Sequence, residues 1–440
     1  MAPPWVLLDR CVWFEFDFGG AGETNDHRQK RAKTFEEREA ALPADLEAMK
    51  PDPQALAPPK ITRLSMLNLA YHDGIRGGII SSTDKSLVAL YAGNYDPGSP
   101  ASCSPWNGCY LVYDASDGSL SSIPQLPYPY SFRGLGRGAA ILSLGGKGSY
   151  VLVELVEAGY RFSKADIFLW WSPASPNQAE AGRWVRRSLS LCLPSHVPNW
   201  DKYPFFHIDR TFSYAGSSVC WVDLFSGAII CNLLTPEPKA TFVPLPAGCS
   251  VDFPIRIRPQ PHEFRTMSCV RGAIKFATLD GFYGSTPDTA GDILAGPDLK
   301  EWREDAAAAL RVADLWASES FRDSGLPRLT PETPVLSVDE DDVVCFIMTD
   351  YDRVENVDNY GQVWWQLVHK ARYLLRVDTA RNKVLSSIST CNKSPWPELL
   401  ASEFSAYLQE GSKDHQEQQK TDTEGSKASM LGTVQDSRTS

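Results

Sequence analysis

Across residues 206–246 the apolar positions fall into four short runs divided by turn-forming residues. Val219, Cys220, Trp221 and Val222 form a β-favouring run that Asp223 ends; Ser226-Gly227 turns the chain, and Ala228, Ile229, Ile230 and Cys231 run back. Residues 211–214 are predicted to pair on one side. After the breaker Thr235-Pro236-Glu237-Pro238, residues 240–243 supply a fourth strand before Pro244 and Pro246 stop it. These runs are apolar at successive positions, so both faces of the predicted sheet need cover. A four-stranded meander of this kind implies stacked neighbours like itself.

The same punctuation recurs along the chain. A first set is predicted at residues 61–69, 87–91, 110–114 and 120–123, and a second at 139–144, 150–156, 167–171 and 184–189. The stretch described above is the third. A fourth begins at 267–270 and 273–279 and then blurs into a Gly/Pro/Asp loop over 280–297; a fifth takes 335–338, 343–349, 373–377 and 384–388. Tyr110 to Ile123 and Tyr373 to Ile388 share a strand, Asp, turn, strand pattern, and third strands begin near 111, 168, 228 and 373. That spacing, roughly sixty residues with longer loops added, is like the kelch-type period. The predicted fold is all-β, a propeller-like ring of about five to six antiparallel four-stranded blades. Two packed antiparallel β domains are the alternative.

Residues 1–18 read as strands of the same body, dense in Trp and Phe. Residues 19–60 turn Gly-rich, then charged, then Pro-rich, and are expected to be an insertion or linker. Within it Thr34-Phe35-Glu36-Glu37 is a capping-box pattern for a helix running to about Met49. The body is then expected over 61–396, interrupted by a helix over the Ala- and Glu-rich residues 302–316. Residues 397–408 are predicted as a short helix, and the polar remainder to 440 as a disordered tail. A stacked row of sheets leaves edges unless the ends meet, so residues 5–9 are expected to pair in the sheet of the last hairpin, 373–388.

Composition narrows the class. A formal net charge of -11 argues against a nucleic-acid partner, whose phosphates call for a basic face. No apolar run approaches membrane-spanning length, and the first residues lack a signal-peptide pattern, so the expectation is a cytoplasmic or nuclear protein, not secreted and not in a membrane. The ten cysteines form no C-x-x-C pair, and several sit within apolar strands as small hydrophobes. A monomer is expected.

Motifs for chemistry are absent or fail on context. Gly134-Leu135-Gly136-Arg137-Gly138 leads into a strand where a dinucleotide fingerprint opens a helix, and Gly145 to Ser149 reads as a hairpin turn. His207, Asp209 and Ser213 are not assigned as a triad. The acidic run 339–342 reads as a solvated turn. No catalytic, cofactor-binding or metal residue is therefore assigned, and no cofactor is expected. Lys30, Arg31 and Lys33 resemble a short import signal, with a solvated surface the favoured reading. Tyr351, Trp364 and Trp365 flank a polar loop and are candidate anchors for a protein partner; the favoured reading places both tryptophans in the core.

At Trp5-Val6-Leu7-Leu8-Asp9, at Val219 to Asp223 with Gly227 and Phe242 to Pro246, and at Asp339 to Val344, the chain resembles the family carrying the domain of unknown function 1618, a plant family expanded in grasses. The resemblance also takes in residues 267–276 and 373–388 and is akin to the kelch-like domains behind plant F-boxes. It implies a plant source and a role not yet characterised, with no activity or site residue to carry over. The function expected is a non-enzymatic protein-interaction scaffold. The alternative is a carbohydrate- or ester-acting hydrolase using acidic residues such as Asp223, Asp280 and Asp350 in a central channel.

Overall fold

A computed structural model describes residues 2–16, 43–69, 75, 77–94, 104–130, 136–158, 164–192, 206–235, 237–246, 249, 258–279, 290–295, 302–304, 310–357, 362–390 and 397–408. The described chain is all-β apart from a few short helical turns, and is organised in antiparallel sheets of four strands. The first comprises Gly77–Asp84, Leu87–Asn94, Ser104–Asp114 and Ser119–Ile123. The second comprises Ala139–Ser143, Tyr150–Ala158, Lys164–Trp171 and Trp184–Cys192. The third, Arg210–Tyr214, Ser218–Asp223, Gly227–Asn232 and Ala240–Pro244, joins the second edge to edge through Leu191 and Cys192. The fourth is Arg265–Val270, Ala273–Leu279, Ala290–Ala295 and Trp302–Glu304; the fifth is Glu332–Leu336, Val343–Val357, Val363–Asp378 and Lys383–Thr390.

The chain ends make a further group. Val6–Asp9 pairs antiparallel with Leu399–Ser402 and parallel with Ile61–Leu69, whose outer edge carries Lys50–Gln54. Cys11–Phe16 then crosses to pair with Gly77–Asp84, merging this group with the first sheet.

Side-chain alternation explains why the strands read as continuous apolar runs. In Ser218–Asp223, Val219 and Trp221 enter a core shared with Val153 and Leu169 of the second sheet, while Cys220 and Val222 enter one shared with Met267 and Phe276 of the fourth. The other sheets share cores in the same way. Tyr110 packs with Ile141 and Leu152 between the first and second sheets, and Leu279 with Phe346 between the fourth and fifth. Leu7 packs with Cys345 and Leu374 of the fifth sheet, whereas Val6 and Leu8 pack with Leu90 and Leu111 of the first. The terminal strand is thus buried on both faces.

Several boundaries differ from expectation. The terminal strand faces the last hairpin across a core and pairs instead with Leu399–Ser402, which had been expected to be helical. Residues 397–408 are a strand and one 3-10 turn, Phe404–Tyr407, whose Phe404 is fully buried; packing outweighs local helix propensity there. Residues 43–60, expected in a linker, belong to the body: 43–47 are helical, Leu46 and Met49 sit in the core with Val6, and Pro51 and Pro53 lie on the edge strand Lys50–Gln54, where missing N–H groups cost no ladder bond. Residues 302–316 are not one helix. Trp302–Glu304 is a strand whose Trp302 Nε1 donates to the Pro244 carbonyl at 2.7 Å, and the helix spans Val312–Ala317. The strand Gly77–Asp84 was missed because Gly77-Gly78 reads as a turn. A Cβ added at Gly78 would lie 3.0 Å from the Tyr91 carbonyl oxygen, so the glycine permits close strand approach. The expected capping box, residues 34–37, lies outside the described residues, as does the tail beyond 408.

Candidate functional site

The first strands of the first, third, fourth and fifth sheets, with Leu399–Ser402, border a cavity of about 280 Å3, lined among others by Asp84, Lys85, Arg210, Thr266, Leu336 and Ser402. Hydrogen bonds tie its wall: Thr211 Oγ1 donates to the carbonyls of Ser81 (2.9 Å) and Ala139 (3.2 Å), and the Ile141 amide donates to Ser82 Oγ (2.8 Å).

Where the first strands begin, charged side chains from distant parts of the chain converge. Arg10, in the bend between Val6–Asp9 and Cys11–Phe16, is 2% exposed; its Nε donates to the Ile80 carbonyl at 2.8 Å and its Nη1 lies 3.2 Å from Glu398 Oε2. Arg137 Nη2 reaches Glu398 Oε1 at 3.1 Å. Burial alone would raise the Glu398 carboxyl, but Arg10 and Arg137 overcome it and hold the group at about 2. Alongside, Arg258 donates from Nη1 and Nη2 to both oxygens of Asp209 (2.9 and 2.8 Å) and from Nη2 to Asp223 Oδ1 (3.0 Å). Burial pushes Asp223 up, with Asp209 adding to it, against the pull of Arg258. His262 is pushed down to about 4 by burial and so is neutral at pH 7. Arg210 belongs to the same cluster, and the terminal nitrogens Nη1 and Nη2 of its guanidinium are buried without a hydrogen-bond partner.

At the cavity's other end Asp84 accepts from the Ser143 amide (2.6 Å) and from Ser213 Oγ (2.7 Å), and burial raises its carboxyl. Glu403 there is likewise raised by burial and by Asp84.

The second candidate surface is a hairpin. Val343–Val357 and Val363–Asp378 stay paired well past their neighbours, since Glu332–Leu336 reaches only to Ile347 and Lys383–Thr390 only to Arg372. Beyond those points they form a two-stranded ribbon. Its register places Trp364 with Val354 and Val368 on one face, and Trp365 with Val357 and Val363 on the other. Trp364 and Trp365 are each 49% exposed, Val357 62% and Val363 54%. Arg353 stacks its guanidinium 4.5 Å above the Trp365 ring, and Tyr351 sits edge-on to His369 at 6.2 Å between centroids.

These placements correct the reading that put both tryptophans in the core: each is half exposed, on a stretch of the hairpin that no third strand among the described residues joins. His207, Asp209 and Ser213 do not converge. The His207 amide donates to Asp223, Asp209 holds Arg258, and Ser213 holds Asp84. Of the acidic residues considered for hydrolysis, Asp223 is committed to Arg258, Asp350 lies at the ribbon's base 3.3 Å from Lys370, and Asp280 lies outside the described residues. Lys30, Arg31 and Lys33 also lie outside them. In the acidic run, Glu340 binds Arg376 (2.6 Å) and Asp341 binds Arg271 (3.1 Å). Among the described residues no cluster of His, Cys, Asp or Glu could hold a metal ion, and no helix is long and apolar enough to cross a membrane. The arginine cluster was not anticipated. Its only trace in the sequence is single charges at strand starts, as in Asp209-Arg210 and Asp9-Arg10.

Residues 221–345 match the family described as a protein of unknown function, DUF1618. No curated protein matches the sequence. Among solved structures the chain is similar to a protein assigned as TolB from Agrobacterium tumefaciens (11% identity, 71% of this chain and 82% of that one, TM-score 0.28). It is similar also to the β-propeller domain of Cps50 (Swd1) from Myceliophteria thermophila (8%, 74% and 93%, 0.29) and to an exo-β-1,3-galactanase from Phanerochaete chrysosporium (8%, 69% and 60%, 0.30).

Proposed function

The chain belongs, through residues 221–345, to the DUF1618 family of unknown function, and from its geometry we propose that it is a non-enzymatic scaffold that docks a protein partner on the ribbon of residues 350–371. The observation that carries this reading is the ribbon itself. Two strands without further neighbours are marginal alone, and this pair carries a tryptophan and valines exposed on each face. Aromatic side chains on a rigid base are the residue type that most often dominates binding energy. Among the described residues no strand pairs with the outer edges of the ribbon, which gives backbone donors and acceptors for an added strand.

The body that presents the ribbon is, in this proposal, a propeller-like ring of six sheets closed by the terminal group. Support comes from the succession of cores, in which each sheet shares one face with the sheet before and one with the sheet after, and Leu7 and Leu8 point to opposite neighbours. The proposal places the protein in the cytoplasm or nucleus as a monomer, consistent with buried thiols such as Cys220 and Cys345 acting as small hydrophobes.

The test compares wild-type protein with a Trp364→Ser/Trp365→Ser variant as baits in plant extract, with mass spectrometry of bound proteins. Wild type is expected to enrich a discrete partner that the variant loses while keeping its Tm. Retention of the same partners by the variant would refute the docking role. A concentration-dependent dimer in light scattering, abolished in the variant, would instead assign the ribbon to a second copy of the chain.

A further inference from the structure

Apart from the ribbon, the charge balance around Arg210 points to a ligand. Arg210 opens the strand Arg210–Tyr214, lines the cavity, and is 7% exposed. Among the described residues its cluster brings three arginines, Arg10, Arg137 and Arg210, to Glu398, whose two oxygens accept from Arg10 and Arg137. A second carboxylate, Asp209, the residue before Arg210, has both oxygens on Arg258. His262 is neutral and brings no charge. Arg210 is therefore a buried cation whose two terminal nitrogens have no hydrogen-bond partner among the described residues, with Glu398 and Asp209 near enough to favour its charge but bonded to other arginines. Buried guanidinium groups are costly unless paired, and an orphaned one in a native fold calls for an explanation.

We propose that the Arg210 end of the cavity is a binding site for a small oxyanion, a carboxylate or a phosphate, which the Arg210 guanidinium holds. The planar fork of arginine matches both groups bidentately, which a lysine would not. The cavity supplies the space: it adjoins Arg210 and extends past Thr266 toward Asp84, Lys85, Arg271 and Glu403 at its other end. Binding requires only that the side chain turn its fork toward the cavity it already lines. The site is independent of the docking role, so either reading can fail without the other.

The full-length protein is titrated with inorganic phosphate, and separately with acetate, at an ionic strength held constant with sodium chloride, and its Tm is followed. A saturable rise with phosphate, with acetate or with both is expected, because a ligand bound only by the folded state stabilises it. Which of the two acts assigns the oxyanion. Arg210→Met should abolish the rise and should not lower the ligand-free Tm, since it removes an unpaired buried cation; Arg271→Gln, at the far end, should leave the rise intact. No rise beyond chloride for either anion, or an equal rise in Arg210→Met, overturns the proposal. Should Arg210→Met fail to fold, phosphate and acetate NMR linewidths on wild type decide: selective broadening supports the site and its absence refutes it.

Discussion

Trp221 Nε1 donates a 2.8 Å hydrogen bond to the carbonyl oxygen of Gly138, so the largest fully buried side chain of the third sheet is fastened to the residue that leads into the second. The contact joins packing and polarity in one group. The ring fills a core with Val153 and Leu169, while its N–H satisfies a carbonyl just before the strand Ala139–Ser143. The same cross-strand position carries Thr211, whose hydroxyl bonds Ala139 and Ser81. One face of the third sheet is thereby registered against both preceding sheets.

Trp221→Ala should therefore cost about 3–5 kcal/mol in chemical denaturation, the range for a large aromatic removed from a core. Trp221→Phe keeps most of the volume but orphans the Gly138 carbonyl, and about 1–3 kcal/mol is expected. A loss below about 1 kcal/mol for the alanine variant would contradict the packing.

Glu154 should give the protein a pH dependence of unusual sign. It is fully buried, and burial pushes its carboxyl up to about 8 from an ordinary 4.5. The folded state thus binds this proton more tightly than the unfolded state. The stability it contributes is fully present below pH 4.5 and is lost as pH rises through 8. Glu154→Gln should be more stable than wild type at pH 8 to 9 and should flatten the fall in stability between pH 4.5 and 8, as read from urea midpoints. Parallel curves for the two proteins would show that Glu154 is not the group responsible.

The sheets legible in the sequence were those whose strands are apolar on both faces. Ser218–Asp223 and Gly227–Asn232 have no competing helical period, and Ser226-Gly227 marks the turn between them. Strands with weak local signals were hidden. Leu399–Ser402 is four residues long, follows the sequence Pro395-Trp396-Pro397 and precedes a 3-10 turn, and its pairing with Val6–Asp9, across nearly the whole chain, makes it a strand. The arginine cluster was illegible for the same reason. Arg10, Arg137, Arg210 and Glu398 are unremarkable one at a time, and their meaning lies in a convergence that only the fold creates. The ribbon aromatics were visible as candidates, because Tyr351 and the Trp364-Trp365 pair stand beside polar residues; their exposure depended on how far the hairpin outruns its neighbours.

Acid should release Glu398 from its arginines. Its folded carboxyl sits at about 2, below the ordinary 4.5, so its contribution to stability is present above pH 4.5 and is lost as pH falls toward 2. Glu398→Gln leaves Arg10, which is buried, and Arg137, which is half-buried, without their shared anion, and about 3–5 kcal/mol of destabilisation is expected at pH 7. The gap between variant and wild type should shrink as pH is lowered to 3. A gap that stays constant over that range would mean the loss is one of packing and not of charge.

The two ends of the chain should behave as one structural unit. Val6 lies directly opposite Ser402 and Leu8 opposite Leu400 in an antiparallel pair, and Trp5, Val6, Leu7 and Leu8 are all buried. Burying such side chains is worth about 1.5–3 kcal/mol each, so removal of residues 2–10, or of everything after 396, should lower the Tm of the whole body and not merely fray an edge. A sharper test replaces the opposed pair with cysteines. In a Val6→Cys/Ser402→Cys variant the two thiols face each other at the separation of neighbouring strands, within the reach of a disulfide. Oxidation should consume two thiols and raise the Tm, by up to about 5 kcal/mol of chain-entropy stabilisation for so long a loop, and dithiothreitol should reverse both. Failure of the thiols to join under mild oxidant, in a protein that remains folded, would show that the N- and C-terminal strands are not paired.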